Sequence, residues 1–193
     1  MNDFVHIIEK RSMKMGYIPG SERVLFIKCG QGGSIYGYEN KYLDIASQVS
    51  EKYGCSVFVS EIKDEGVDAF EREMKAVKLL AGEDCKVFCL GVSKGGLLAL
   101  WHGQYEPSVQ KIVTVNAPLM INFQNRTRPA IRSIKKGCLT MIYGTRDPSF
   151  KFVPFVEQLT NVQIIDGADH NLVGGGVSLM GIVESLLENS EKK

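Results

Sequence analysis

Little in this chain would bind it to a charged surface. Lys and Arg number 23 against 22 Asp and Glu, a net charge of +1, so there is no bulk field to hold a phosphate backbone or an anionic membrane. Nucleic acid is therefore not an expected partner. The five cysteines (Cys29, Cys55, Cys85, Cys89, Cys138) make an odd set without a Cys-x-x-Cys pair, and the three histidines are scattered. Neither a disulfide framework nor a metal site is suggested, and reduced thiols fit a cytosol. No apolar run approaches the ~18 residues of a membrane span, and Met1-Asn2-Asp3-Phe4 opens no basic-then-apolar leader. The expectation is a cytoplasmic protein without a membrane segment. Prolines are few, 6 in 193 residues, while 44% of side chains are hydrophobic and 23% charged, which excludes disorder and collagen. Internal repeats, low-complexity blocks and linkers are lacking too, so one domain over residues 1–193 is expected. The polar end, Glu188 to Lys193, reads as a frayed tail.

What is present is an alternation of short apolar runs with longer helical patterns, as a parallel sheet covered by helices requires. The expected strands are Val24 to Lys28, Ser56 to Glu61, Lys86 to Gly91, Lys111 to Asn116, Cys138 to Tyr143 and Val162 to Asp166. Most are continuous hydrophobic runs, the mark of strands buried on both faces. Val5 to Glu9 and Lys14 to Ile18 read as an edge hairpin. Tyr42, Ile45, Ala46, Val49 and Tyr53 share one helical face, as do Phe70, Met74, Val77 and Ala81. Asp68 with Glu71 predicts a capping box at the start of the second helix, and Gly82 its stop. A last helix after Gly174-Gly175-Gly176 would bury Leu179, Ile182, Val183 and Leu186.

The run Lys86 to Leu90 leads directly into Gly91-Val92-Ser93-Lys94-Gly95 and then Gly96 to Trp101, which is a strand, a G-x-S-x-G turn and a helix, the context of a nucleophile elbow. So sharp a turn leaves no room for flanking side chains, hence Gly91 and Gly95, and it projects the central hydroxyl above the sheet. Read plainly, the same letters are a glycine turn opening a buried helix. A serine hydroxyl attacks well only when a base takes its proton and a third group fixes that base. His170 is the downstream histidine in a loop just past an expected strand. His102 falls on the helix after the elbow, facing away from the strand ends, and His6 lies near the start. For the acid, Asp147 sits in the tight loop Gly144-Thr145-Arg146-Asp147-Pro148 after a strand, where a turn aspartate is the ordinary reading. Asp169 is the rival, although adjacency to His170 makes pairing with that imidazole awkward.

In these residues the chain resembles the α/β-hydrolase superfamily, from about Val24 onward. The resemblance implies a single-domain α/β-hydrolase fold, a mostly parallel twisted sheet with helices on both faces, and the family order of nucleophile, acid and histidine in Ser93, Asp147 and His170. It further implies an oxyanion hole from the backbone N–H groups of Gln31 and Lys94, since Cys29-Gly30-Gln31-Gly32-Gly33-Ser34 occupies the family's oxyanion loop. Cys29 stands where a histidine is common. It reads as a buried structural thiol, with a nucleophilic role as the minor alternative. The other family position for the acid, after the preceding strand, shows Val115-Asn116-Ala117-Pro118, without a carboxylate.

The implied activity is hydrolysis of a carboxylic ester or thioester through an acyl-enzyme on Ser93, with a small-molecule or acyl-group substrate and neither cofactor nor metal. A peptidase or acyltransferase could use the same triad, and a non-catalytic binding protein could use the same fold. The glycine loop fails as a dinucleotide fingerprint because its third glycine position is Ile35 and the next acid, Glu61, is too distant. Only about twenty residues lie where the family inserts its lid, so the lid should be minimal. That segment holds Arg126, Arg128, Arg132, Lys135 and Lys136 without an acid. It is either a solvated face or, through Arg128 and Arg132, a substrate contact.

Overall fold

The computed structural model describes residues 3–188; the expected polar tail from 189 onward lies outside the described residues. Eight strands form one sheet in the order β1-β2-β4-β3-β5-β6-β7-β8. The strands β1 (His6–Lys10) and β2 (Met13–Ile18) are the expected hairpin, and β2 runs antiparallel to β4 (Cys55–Ser60). From β4 through β3 (Ser21–Lys28), β5 (Lys86–Val92), β6 (Val109–Val115), β7 (Leu139–Gly144) and β8 (Asn161–Ile165) every pairing is parallel.

Alternation along the strands divides the core in two. Val24 and Phe26 of β3 pack with Phe70, Met74 and Val77 of α2 (Val67–Ala81) and with α3 (Lys94–Gly103). Leu25 and Ile27 turn to the opposite face, against Ile45, Ala46 and Val49 of α1 (Lys41–Tyr53) and Ile182, Val183 and Leu186 of the last helix, Leu179–Glu188. Successive side chains of a strand point to opposite faces, so a run such as VLFI is apolar throughout because both layers are filled.

One local expectation is corrected. The Asp68–Glu71 capping box does not form: α2 starts at Val67, with Gly66 as its N-cap and no side-chain cap. Asp64 accepts the Gly66 N–H at 3.1 Å instead, and Asp68 lies in the first turn, where a carboxylate still complements the helix dipole. The stop at Gly82 is as expected, with φ +102°.

The connection between β6 and β7 is short. A wide helical turn, Phe123–Thr127, leads into α4 (Arg128–Ser133), and the last helix of the chain is accordingly α5. The Trp101 indole donates to Thr127 Oγ1 at 3.1 Å, and the Arg126 guanidinium lies 4.1 Å from the indole centre. The segment is thus pinned along α3. Among the described residues no helix is long and apolar enough to cross a membrane.

Candidate active site

Parallel strands end at the same edge of the sheet, and the loops after β3, β5, β7 and β8 carry the glycine loop, Ser93, Asp147 and His170 to that edge. Ser93 has φ +52° and ψ −126°, a conformation that side chains rarely adopt. Its neighbours hold it there. A Cβ on Gly91 would come 2.4 Å from Gly96 Cα, and one on Gly95 would come 2.2 Å from the Cys29 carbonyl oxygen. The Ser93 N–H donates to Val115 O at 2.8 Å, and its carbonyl accepts the Gly96 N–H at 2.9 Å.

The Asp147 side chain is fully buried and that of His170 half-exposed, with His170 Nδ1 2.5 Å from Asp147 Oδ2. The other oxygen, Oδ1, accepts the Ser149 N–H at 2.7 Å, so the carboxylate is fixed at both ends. With Nδ1–H donating to Asp147, Nε2 is the nitrogen left to exchange a proton. Asp169 does not reach the imidazole. Its Oδ1 accepts the N–H groups of Asn171 and Val173 at 2.8 and 3.0 Å, which shapes the loop around His170.

Ser93 and His170 line one cleft of about 470 Å³, together with Gly30, Gln31, Gly32 and Gly33. The glycine loop turns on a Gly33 N–H to Gly30 O bond of 3.0 Å, with Gly32 at φ +71°, the left-handed third position that a type II turn gives to glycine. A Cβ on Gly30 would stand 3.3 Å from Ser93 Cβ and 3.9 Å from its Oγ, so the bare backbone of the loop lies close beside the serine side chain. Gln31 lies in this turn and Lys94 opens α3 directly after Ser93. The Lys94 ammonium pairs with Glu65.

Other candidates lie elsewhere. His102 is buried on α3, its Nε2 3.4 Å from Arg126 Nη2. Burial first, and Arg126 second, hold its imidazole below the ordinary range. Cys29 is buried with its thiol donating to Ser34 O at 3.4 Å; burial pushes that thiol up to about 12, so it stays protonated and inert at neutral pH. Arg128 donates to Gln124 at 3.4 Å. Neither Arg128 nor Arg132 lines the cleft of Ser93 and His170.

Two residues that sequence reasoning passed over hold the loops in place. Asn116 directly follows β6 at φ +49°, accepts the Gly144 N–H at 2.9 Å and donates to the carbonyls of Asp169 and His170 at 3.1 and 2.9 Å. Its signal was an asparagine at a strand end, a residue that tolerates the left-handed region. Glu61 accepts the Ile35 N–H at 3.1 Å behind the glycine loop, with Lys63 3.1 Å from its other oxygen.

No family model matches the sequence, and no curated protein matches it either. Solved structures do. Est1E from Butyrivibrio proteoclasticus is 14% identical, covers 97% of both chains and superposes with a TM-score of 0.66. XC6422 from Xanthomonas campestris, an α/β serine hydrolase without a lid, is 16% identical over 93% of this chain and 88% of its own, with a TM-score of 0.64. The fold is that of the α/β hydrolases. A further structure with the α/β-hydrolase fold, MGS-MChE2 from the metagenome of lagoon sediments at Mar Chica, Morocco, is 18% identical, covers 97% of this chain and 98% of its own, and gives a TM-score of 0.59. At such identities the likeness is one of architecture, and the chemistry rests on this chain's own residues.

Proposed function

We propose that the protein is a serine hydrolase that cleaves a carboxylic ester or thioester of a small substrate through an acyl-enzyme on Ser93. The observation that carries this reading is the half-exposed His170 imidazole, bonded at Nδ1 to the buried Asp147 carboxylate and sharing a cleft with Ser93 on its strained turn. In the proposed sequence His170 Nε2 takes the Ser93 proton as Oγ attacks the carbonyl carbon, and Asp147 stabilises the imidazolium. The negative oxygen of the tetrahedral intermediate faces the backbone N–H groups of Gln31 and Lys94, donors fixed before the reaction starts. His170 returns the proton to the leaving alkoxide or thiolate. Water, activated by the same imidazole, then attacks the acyl carbon and frees Ser93.

The test is covalent. A fluorophosphonate probe should label the wild-type protein at Ser93, and both labelling and ester hydrolysis should vanish in Ser93→Ala with the circular dichroism spectrum intact. Near wild-type turnover in folded Ser93→Ala overturns the proposal, and a folded wild-type protein inert to probe and to every ester identifies a binding protein on a hydrolase fold.

A further inference from the structure

The cleft is electrically uneven, and its charge does not come from the basic segment after β6. Among the described residues that line it, Lys41 is the one permanent cation, and none is an aspartate or glutamate. Lys41 is held in place: its Cγ would lie 2.9 Å from a Cβ on Gly37, so a bare glycine makes room for the stem, and its ammonium sits 5.2 Å from the centre of the Tyr42 ring. It has no carboxylate partner within 4 Å among the described residues, whereas the Lys94 ammonium pairs with Glu65. Lys41 also lines a second hollow of about 310 Å³ that adjoins the cleft through Val92, His170 and Asn171. That hollow is walled by Ile45, Val115, Leu172, Leu179 and Met180. Asp44 also lines this hollow, as its one carboxylate among the described residues, and is not among the residues that line the cleft.

Resting on the hydrolase reading above, we propose that the substrate is a small ester or thioester with a carboxylate on one side of the scissile carbonyl and a short apolar group on the other. The carboxylate pairs with Lys41 in the glycine-loop cleft, and the apolar group fills the hollow beside His170. A cleft with one unopposed charge concentrates substrates of opposite sign, an effect weakened by salt over a Debye length of roughly 8 Å at physiological ionic strength. A partly solvated ion pair is worth roughly a two- to fivefold preference.

Two matched pairs test this and separate the two sides of the ester. In para-nitrophenyl hemiglutarate against para-nitrophenyl valerate the carboxylate is on the acyl side; in para-(butyryloxy)benzoate against its methyl ester it is on the leaving group. Wild type should favour the anionic member of one pair in kcat/KM, chiefly through KM. That ratio should fall about two- to fivefold in Lys41→Met, invert in Lys41→Glu and shrink in high salt. Arg128→Ala/Arg132→Ala should keep the ratio. Ratios in both pairs that stay put in Lys41→Met, with Ser93-dependent hydrolysis intact, overturn the Lys41 subsite alone. A ratio that collapses in the arginine variant instead assigns the anion to the basic segment and overturns it too. Absence of Ser93-dependent hydrolysis in every pair removes the hydrolase reading and this inference with it.

Discussion

Replacing Asp147 by Asn keeps the shape of the side chain but replaces a carboxylate that accepts from His170 with an amide that also donates. The imidazole would then present the wrong tautomer to Ser93, and kcat is expected to fall by about 10^4-fold with little change in stability. Asp169→Asn preserves the oxygen that accepts the Asn171 and Val173 N–H groups, so its turnover should stay near wild type. Steady-state kinetics of the two variants side by side decide which carboxylate serves the histidine; the reverse pattern would transfer the role to Asp169. Gly95→Ala is the residue-scale test of the turn. A methyl 2.2 Å from the Cys29 carbonyl oxygen and 2.4 Å from that of Lys28 must push the end of β3 away. A loss of about 1–3 kcal/mol in urea unfolding is expected, with a loss of activity in the fraction that remains folded, because the displaced backbone carries the glycine loop.

At the scale of elements, β3 and α2 are joined by an ion pair between buried side chains. Lys28 Nζ donates to Glu73 Oε1 at 2.5 Å, Ser60 Oγ at 3.0 Å and Glu61 O at 2.9 Å. Burial pushes the Glu73 carboxyl up, against the pull of Lys28. Lys28→Met strands that carboxyl in the core and should cost about 3–5 kcal/mol, while Lys28→Met/Glu73→Leu should recover much of the loss; denaturant melts of both variants provide the check. On α3 the relevant group is His102. Its folded-state imidazole is held below the ordinary range, so just below about pH 6.5 the unfolded chain binds a proton that the folded chain does not. Stability therefore rises with pH across that window and is lost as pH falls through it. Thermal melts at about pH 7.5 and about pH 5.5 should show a smaller acid loss of Tm in His102→Gln than in wild type. Strands were legible in the sequence because burial on both faces leaves an unbroken apolar run, and helices α1, α2 and α5 because their stripes recur at the helical period. Element ends were less so, as the start of α2 shows: the helix begins at Val67 with Gly66 as its N-cap and no side-chain cap, and Asp64 accepts the Gly66 N–H before the first turn, so the spacing of Asp68 and Glu71 does not mark the cap. Buried polar contacts were illegible for a different reason. Lys28 and Glu73 lie 45 positions apart, and Asn116 and His170 lie 54 apart, so no local pattern announces that they meet.

For the molecule as a whole, the same spatial logic explains what could be read of the candidate site. Ser93, Asp147 and His170 each follow a strand, and parallel strands bring such positions to one edge, so strand placement, together with the G-x-S-x-G turn and the order of residues that the family resemblance implies, nominated them. Glu61 obeys the same rule, directly after β4 at that edge, yet nothing local announces that it accepts the Ile35 N–H. Lys41 follows no such rule: it opens α1 and reaches the cleft because that helix packs beside the glycine loop, a matter of the third dimension. The order of strands has one more outcome. Ser93 springs from β5 in the middle of the sheet, but Asp147 and His170 hang on β7 and β8, and β8 is the last strand, paired on one side alone and largely open to solvent. Rim segments of a protein open more readily than its centre. Rising denaturant should thus peel β8 and its loop away first, silencing catalysis at concentrations where tryptophan emission from Trp101, deep on α3, still reports an intact interior. Amides of β8 should likewise exchange with deuterium well ahead of those of β3 and β5, so that the chain's working lifetime is set by how long its border holds, independent of the endurance of its heart.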